Sequence, residues 1–354
     1  MGDDRKPLIA LAMGDPAGIG AELAARLLSD ADVRQAADIL LLGDRRVWAM
    51  GLGQAGIAHE LADLDGFGEH GQALADFGHL DPADMTVGEA SKTGGDFALV
   101  TFRIALKMAA MGVADAVAFT PFNKQSMRLA EGDYVDEIGF IRRTIGAAKD
   151  GSEFNILDEV WNARVTSHIP LAEVAEHITV ERIERAIDLT IESMEAAGFS
   201  RPRLAVAGLN PHAGDGGNFG REEIEVIEPA VRAAAGRQVA VEGPFSPDTV
   251  FLRAKAGLHD AVLTMYHDQG QIAMKLMGFD RGITLIGGYP FPITTPAHGT
   301  AFDIAGQGKA NPGAAKRALT IGADMARRFK DKKTFPDRRS RIEAVRGFFR
   351  GGHA

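Results

Sequence analysis

Short apolar runs recur along this chain, each closed by a Gly- or Pro-marked loop and followed by helical periodicity. Residues 7–13, 39–43, 114–119, 204–208 and 261–265 are apolar over nearly their whole length rather than on alternate positions. A strand that is apolar on both faces has to be covered on both faces, and the intervening helices are what can cover it. The pattern therefore predicts an α/β fold built of parallel sheets with helices on either side. In such sheets ligands bind beyond the carboxyl ends of the strands.

The 354 residues suit two lobes better than one. Binding a phosphate backbone needs a basic face, and a formal charge of −9 argues against one, so no nucleic-acid partner is expected. The chain has no Cys, which rules out disulfides and thiolate metal sites. Asp3, Asp4, Arg5 and Lys6 precede a short apolar run, and no run reaches the length of a membrane span. A cytoplasmic protein without a membrane partner is the expectation.

Residues 52–90 read as irregular, with His59, His70 and His79 at the surface. Residues 94–111 predict a helix with Phe97, Val100, Ile104 and Met108 on its core side. Residues 154–157 and 163–165 read as strands of a β-rich arm, with Pro170 in the first turn of the next helix. Helices are expected at 181–197, 222–235 and 313–328, and a solvated basic tail from Lys330 to Arg350.

Chemistry-bearing residues concentrate between residues 264 and 312. T-M-Y-H-D-Q-G-Q-I-A-M-K places a metal-ligand type (His267), an acid (Asp268) and a base (Lys275) within nine residues at the end of a strand. Further on, H-G-T-A-F-D-I-A-G-Q-G-K-A-N-P is rich in small residues, as a backbone must be to lie against a flat ligand. His168 and His212 also follow apolar strands, beside Pro or Gly. A lone His in such a place is more often a hydrogen-bonded structural residue, and the long gaps between these three define no ligand motif. Asp268 reads equally as a tuning group beside a metal ligand or as a helix N-cap. Lys124, just past the strand at 114–119, reads equally as a ligand contact or a solvated side chain. Asp15, in M-G-D-P-A-G-I-G, reads first as part of a tight strand-to-helix turn.

Four motifs in unbroken order resemble the 4-hydroxythreonine-4-phosphate dehydrogenase family: M-G-D-P-A-G-I-G (13–20), N-P-H-A-G-D-G-G (210–217), Y-H-D-Q-G-Q-I-A-M-K (266–275) and the 298–312 loop. That family lies within the isocitrate and isopropylmalate dehydrogenase superfamily. The resemblance implies two α/β/α lobes with an active-site cleft between them. One lobe would be built from 1–125 plus 290–354 and carry the cofactor loop. The other, 126–289, would carry the metal ligands and a dimer arm. T-S-H-I-P, N-P-H-A-G and Y-H-D-Q-G match the family's metal-ligand contexts, which implies His168, His212 and His267 as ligands. The ion would be Zn²⁺ first, with Co, Ni, Mn or Mg as alternatives. The one matching His267 would reach in from the second subunit of a homodimer with shared active sites. Lys275 matches the substrate-binding Lys, and Asp268 is the candidate proton acceptor. His298, Gly299, Thr300, Asp303 and Asn311 fall where the family binds NAD, with NADP as the alternative. Asp15 would then line the active cleft. The implied activity is oxidation of a 3-hydroxy acid by NAD⁺ with loss of its β-carboxylate as CO₂.

Departures bear on the substrate. Aligned without gaps, Glu137 and Ile138 stand where the family has a substrate-binding His and Thr. Thr284 replaces a substrate-binding Asn, and Ile293 a substrate-binding Arg. A lost Arg removes the best bidentate phosphate ligand, and a Glu in that pocket repels phosphate. The expected substrate is therefore a hydroxy acid other than 4-hydroxythreonine 4-phosphate, such as a dihydrodiol carboxylate or a sugar acid. The alternative is a metal-dependent hydrolase or lyase without redox chemistry, against which the nucleotide-type loop argues. A non-catalytic binding protein is a third reading, against which the intact His168, His212, His267 and Lys275 argue.

Overall fold

The computed structural model describes residues 6–278, 280–329, 335 and 337–352. Among these, eleven strands follow in chain order: β1 Leu8–Ala12, β2 Asp38–Gly43, β3 Gln72–Asp76, β4 Ala116–Phe119, β5 Ser152–Ile156, β6 Trp161–Arg164, β7 Leu204–Ala207, β8 Val241–Phe245, β9 Ala261–Thr264, β10 Ile283–Gly287 and β11 Ile293–Pro296. The chain forms two compact units, Met1–Gly151 with Tyr289–Ala354, and Ser152–Gly288.

In the first unit the strand order is β3-β2-β1-β4-β11, and each neighbouring pair is parallel. β1, β2 and β4 are buried at every position, as continuous apolar runs require. Helix Lys92–Ala110 packs on this sheet. Ser91 caps it by accepting from the Gly94 amide, and Phe97, Phe102, Ile104 and Met108 are buried. Helices Lys124–Ala130 and Glu137–Ile145 belong to the same unit. A β-carbon at Gly95 would collide with the Ser126 carbonyl, and Phe140 stacks on Phe102 with ring centroids 5.6 Å apart. These contacts move the boundary expected at residue 125 to Gly151, and the chain returns to this unit at Tyr289.

The second unit has the order β10-β5-β6-β9-β7-β8. β5 pairs antiparallel with both β10 and β6, while β6, β9, β7 and β8 run parallel. The strands expected to form an arm are thus interior to this sheet. Asn155 on β5 lies opposite Thr284 on one side and Asn162 on the other, so both edges of β5 are taken. Helix Val180–Ala196 buries Ile183, Ile187 and Met194.

Two stretches differ from the sequence expectation. Residues 52–90 are not irregular throughout: helix Arg45–Ala55 runs into them and β3 crosses them. Q-A-L-A-D has no β-branched residue and forms a strand because β2 recruits it, Ile39 opposite Gln72. The basic tail is not simply solvated. Helix Arg338–Arg350 opens with a capping box between Asp337 and Ser340 and buries Val345 and Phe348. Arg341 pairs with the buried Asp115 at 2.9 Å, and that carboxylate also accepts from the Leu8 amide. Lys330 to Thr334 and Pro336, also part of the expected tail, lie outside the described residues, as do Asp3 to Arg5. No helix among the described residues is long and apolar enough to cross a membrane.

The turn after β1 corrects the reading of Asp15 as a cleft residue, because its side chain is fully buried. Oδ1 accepts from the Ala17 amide, while Oδ2 has no partner in the protein. Burial pushes the Asp15 carboxyl pKa up, against the weaker pull of the hydrogen bond from the Ala17 backbone. Between the ordinary carboxylate pKa and the raised one, the native state holds a proton that the unfolded chain has lost. Stability therefore falls as pH rises through that window and levels off above it. Asp15→Asn cannot ionise, so its urea-unfolding free energy minus that of wild type should increase with pH across the window. A difference that stays constant with pH would show that Asp15 does not titrate this way.

Candidate active site

β6 and β9 are parallel neighbours, with Arg164 opposite Thr264, so the chain leaves both at the same edge. The pairing continues past the strands. The amides of Val165 and Thr166 donate to the carbonyls of Thr264 and Met265, and the Thr166 hydroxyl also donates to Met265, at 2.7 Å. T-S-H-I-P and M-Y-H-D therefore run side by side, and the rings of His168 and His267 come to 5.6 Å between centroids. Together with Thr166, Leu171, Val174 and Tyr266 they line a cavity of about 400 Å³. His168 sits at φ 54°, a left-handed conformation that costs energy for a residue with a side chain.

Helix His267–Gly278 carries the second histidine at its start. Asp268 lies within its first turn and is not its N-cap. Its Oδ1 is 2.6 Å from His267 Nδ1. A proton held on Nδ1 by that carboxylate leaves Nε2 with its lone pair outward, the tautomer a metal ligand needs. Gln271, one turn on, donates to Asn155 Oδ1, and Asn155 reaches Thr284 Oγ1 at 3.4 Å. His267, Gln271 and Lys275 fall at i, i+4 and i+8 on one stripe of the helix, and Lys275 is exposed. A β-carbon at Gly270 would collide with the Asn162 side chain, which accounts for the glycine in H-D-Q-G.

His212 occupies a different loop. Five successive residues, His212 to Gly216, have positive φ. The buried Glu223 holds this turn, accepting from the amides of Leu209 and Asn210 at 2.8 and 2.7 Å. Gln269 ties the two regions: its Oε1 accepts from the Met265 amide and its Nε2 donates to the Gly208 carbonyl. His212 does not line the cavity of His168 and His267. Among the described residues, no three His, Asp or Glu side chains of one chain gather as a ligand set. Two adjacent imidazoles with one tautomer fixed by a carboxylate nonetheless suit a borderline-soft divalent ion that takes further donors from elsewhere.

In the first unit the 298–311 loop folds onto the turn after β1. The Ile19 amide donates to the Thr300 carbonyl at 3.0 Å, and Asn123 Nδ2 reaches Thr300 Oγ1 at 3.5 Å. Thr300 is buried, so of the residues expected to bind cofactor it serves the loop's own packing. Asp303 and Asn311 are exposed, His298 is half-buried, and open space surrounds the position a Gly299 β-carbon would take. Asn311 Oδ1 accepts from the amide of Gly313, the first residue of helix Gly313–Arg328. Small residues, room at Gly299 and an exposed carboxylate fit the adenosine end of a dinucleotide.

The substrate positions divide. Glu137 begins helix Glu137–Ile145 and pairs with Lys124 at 3.4 Å. Thr284 is half-buried on β10. Ile293 is fully buried on β11 opposite Val117, so it packs the core and offers no surface to a ligand. Sequence reasoning missed Glu223, Gln269 and Asn155. Gln269 could have been found inside Y-H-D-Q-G, but nothing local marks Glu223 or Asn155.

The family model described as pyridoxal phosphate biosynthetic protein PdxA matches residues 35–322. A Rhizobium meliloti protein assigned as 4-hydroxythreonine-4-phosphate dehydrogenase 2 is 54% identical over 330 residues, covering 92% of this chain and 95% of that protein. The crystal structure of 4-hydroxythreonine-4-phosphate dehydrogenase from Klebsiella pneumoniae superposes with a TM-score of 0.79 at 34% identity, covering 91% of this chain and 98% of the other. A terephthalate 1,2-cis-dihydrodiol dehydrogenase from Burkholderia xenovorans superposes with a TM-score of 0.62 at 29% identity, covering 90% and 99%. With its four motifs in family order, its α/β fold and these matches across nearly its whole length, the chain belongs to the PdxA family, whose relatives named here are dehydrogenases.

Proposed function

We propose that this protein is an NAD- and divalent-metal-dependent dehydrogenase that oxidises a 3-hydroxy acid with loss of its β-carboxylate. The observation that carries the reading is the placement of His168 and His267 beyond the ends of neighbouring parallel strands, with Asp268 on His267 Nδ1. When bound, a divalent ion supplies Lewis acidity at the substrate's hydroxyl and carboxylate, and NAD⁺ accepts the hydride. The chain's own groups do the rest. His168 and His267 present imidazole nitrogens, and Asp268 keeps the proton on Nδ1 so that Nε2 stays a donor of its lone pair. Lys275, on the His267 stripe, offers an ammonium that holds a carboxylate or moves a proton. The 298–311 loop receives the adenosine end.

In the homodimer each set joins His168 and His212 of one subunit with His267 of the other, so the neighbouring His168 and His267 of one chain serve different sites. Support comes from the helix that carries His267. Its outer face exposes Ile272 and Leu276 at 61% and 84%, more apolar surface than a solvated helix face needs. The Glu137 carboxylate, paired with Lys124, favours a substrate end bearing hydroxyls over one bearing a phosphate. The terephthalate dihydrodiol dehydrogenase relative gives one such acid, a cis-dihydrodiol carboxylate.

The test is a screen of metal-reconstituted protein with NAD⁺ against 3-hydroxy acids, including a cis-dihydrodiol carboxylate, an unphosphorylated sugar acid and 4-hydroxythreonine 4-phosphate. NADH absorbance and CO₂ release are the readouts. Protein that retains its metal but reduces no nucleotide with any of these acids would sink the assignment and favour non-redox metal chemistry.

A further inference from the structure

We infer that Glu22 and Arg26 are positioning residues for the cofactor loop, fixing the backbone at Gly308 and Ala310 in the shape that receives the nucleotide. The inference rests on the reading of residues 298–311 as the NAD bed.

Glu22 and Arg26 lie one turn apart on helix Gly20–Ser29. Glu22 is fully buried. Its Oε1 accepts from Arg26 Nε at 3.0 Å, from Arg26 Nη2 at 2.8 Å and from the Ala310 amide at 3.0 Å. Arg26 Nη2 also donates to the Gly308 carbonyl at 2.8 Å. One ion pair thus takes a donor and an acceptor two residues apart in a segment nearly 290 positions along the chain. That segment has no other regular structure to hold it. Gly308 has φ 68°, and a β-carbon there would lie 2.8 Å from the Gln54 carbonyl. Asn311, with its exposed amide, follows directly. A pair that only stabilised its own helix would gain nothing from burial, since i, i+4 pairs work in solvent. Glu22 is buried where the loop passes over it, and its Oε2 has no partner in the protein. The whole compensation of this charge runs through Oε1, so the loop and the pair depend on each other.

The test uses full-length metal-loaded protein, NAD⁺ titration by calorimetry, and amide exchange at Ala310 by mass spectrometry. Arg26→Ala and Glu22→Ala should each raise the NAD⁺ Kd about tenfold or more, the worth of a lost charge-assisted hydrogen bond. Exchange at Ala310 should accelerate in both, while bound metal stays at the wild-type level. Glu22→Gln keeps an acceptor oxygen for Ala310 and should bring the Kd back to within about threefold of wild type. If Glu22→Ala does not fold, Arg26→Ala, whose side chain reaches solvent, carries the test. Folded variants with unchanged Kd, or with unchanged Ala310 exchange, would overturn the positioning role. Wild-type protein that binds no NAD⁺ would instead overturn the reading of the loop, and this inference with it.

Discussion

A mixture of two inactive variants should regain activity. His168→Ala and His267→Ala are each expected to lose on the order of a thousandfold in kcat/KM, because a Lewis acid supplies several kcal/mol and each ~1.4 kcal/mol is tenfold. Among the described residues no three ligand side chains of one chain gather, and the proposed set takes its third member from a second copy. If His267 is the residue that crosses, a hybrid dimer has one site with both lesions and one site with none. Random exchange makes half the dimers hybrid, so recovery should approach about a quarter of wild-type activity. The pairing of variants carries the specificity of the test. His168→Ala mixed with His212→Ala should stay inactive, since both lesions then fall on the same side of every site. Recovery in that second mixture, or none in the first after exchange is demonstrated by labelled subunits, would mean a different division of ligands. The adjacency of His168 and His267 within one chain makes the first mixture the sharper of the two, because a site built from that adjacent pair could not be complemented by it.

The sequence carried the strands and the order of the motifs, because burial on both faces and close backbone approach leave local marks. Apolar runs announced β1, β2, β4, β7 and β9, and the glycine of H-D-Q-G recorded the approach of helix His267–Gly278 to Asn162. What was not legible depends on partners far along the chain. β3 is a strand because β2 offers it an edge. Glu223 is buried because the His212 turn presents two amides to it. Helix Arg338–Arg350 reads as a charged tail until Asp115 and the core contacts of Val345 and Phe348 are seen. The division of the chain was misplaced for the same reason: residues 126–151 carry no boundary signal, and their unit is decided by Phe140 meeting Phe102. For the candidate site, spacing alone could never have joined His168 to His267. The parallel register of β6 and β9 does so, carried two residues past the strands by the Thr166 hydrogen bonds.

4-Hydroxythreonine 4-phosphate is expected to be a poor substrate. The motivation is a set of replacements at positions where the family resemblance places substrate contacts. Ile293 packs the core of the first unit, so this position offers a phosphate neither a donor nor a surface. Glu137 is a half-buried carboxylate whose charge is only partly met by Lys124 at 3.4 Å, a longer contact than a tight ion pair makes. A charge-assisted hydrogen bond to an ionised partner contributes roughly 1.5–3 kcal/mol, so losing one Arg and one His contact costs about 3–6 kcal/mol if the two add. At ~1.4 kcal/mol per tenfold, kcat/KM should fall on the order of a hundredfold to ten-thousandfold below that of the chain's own substrate. The fall should appear mostly in KM, since the phosphate lies away from the reacting carbon and is bound alike in ground and transition states. Restoring donors makes the argument testable in both directions. Glu137→His should improve the phosphorylated substrate and weaken an unphosphorylated hydroxy acid, reversing part of the preference. A kcat/KM at or above about 10⁴ M⁻¹s⁻¹ for the phosphate in the unaltered enzyme, within the ordinary enzyme range, would mean that other residues bind it and that Glu137 and Ile293 do not set the choice.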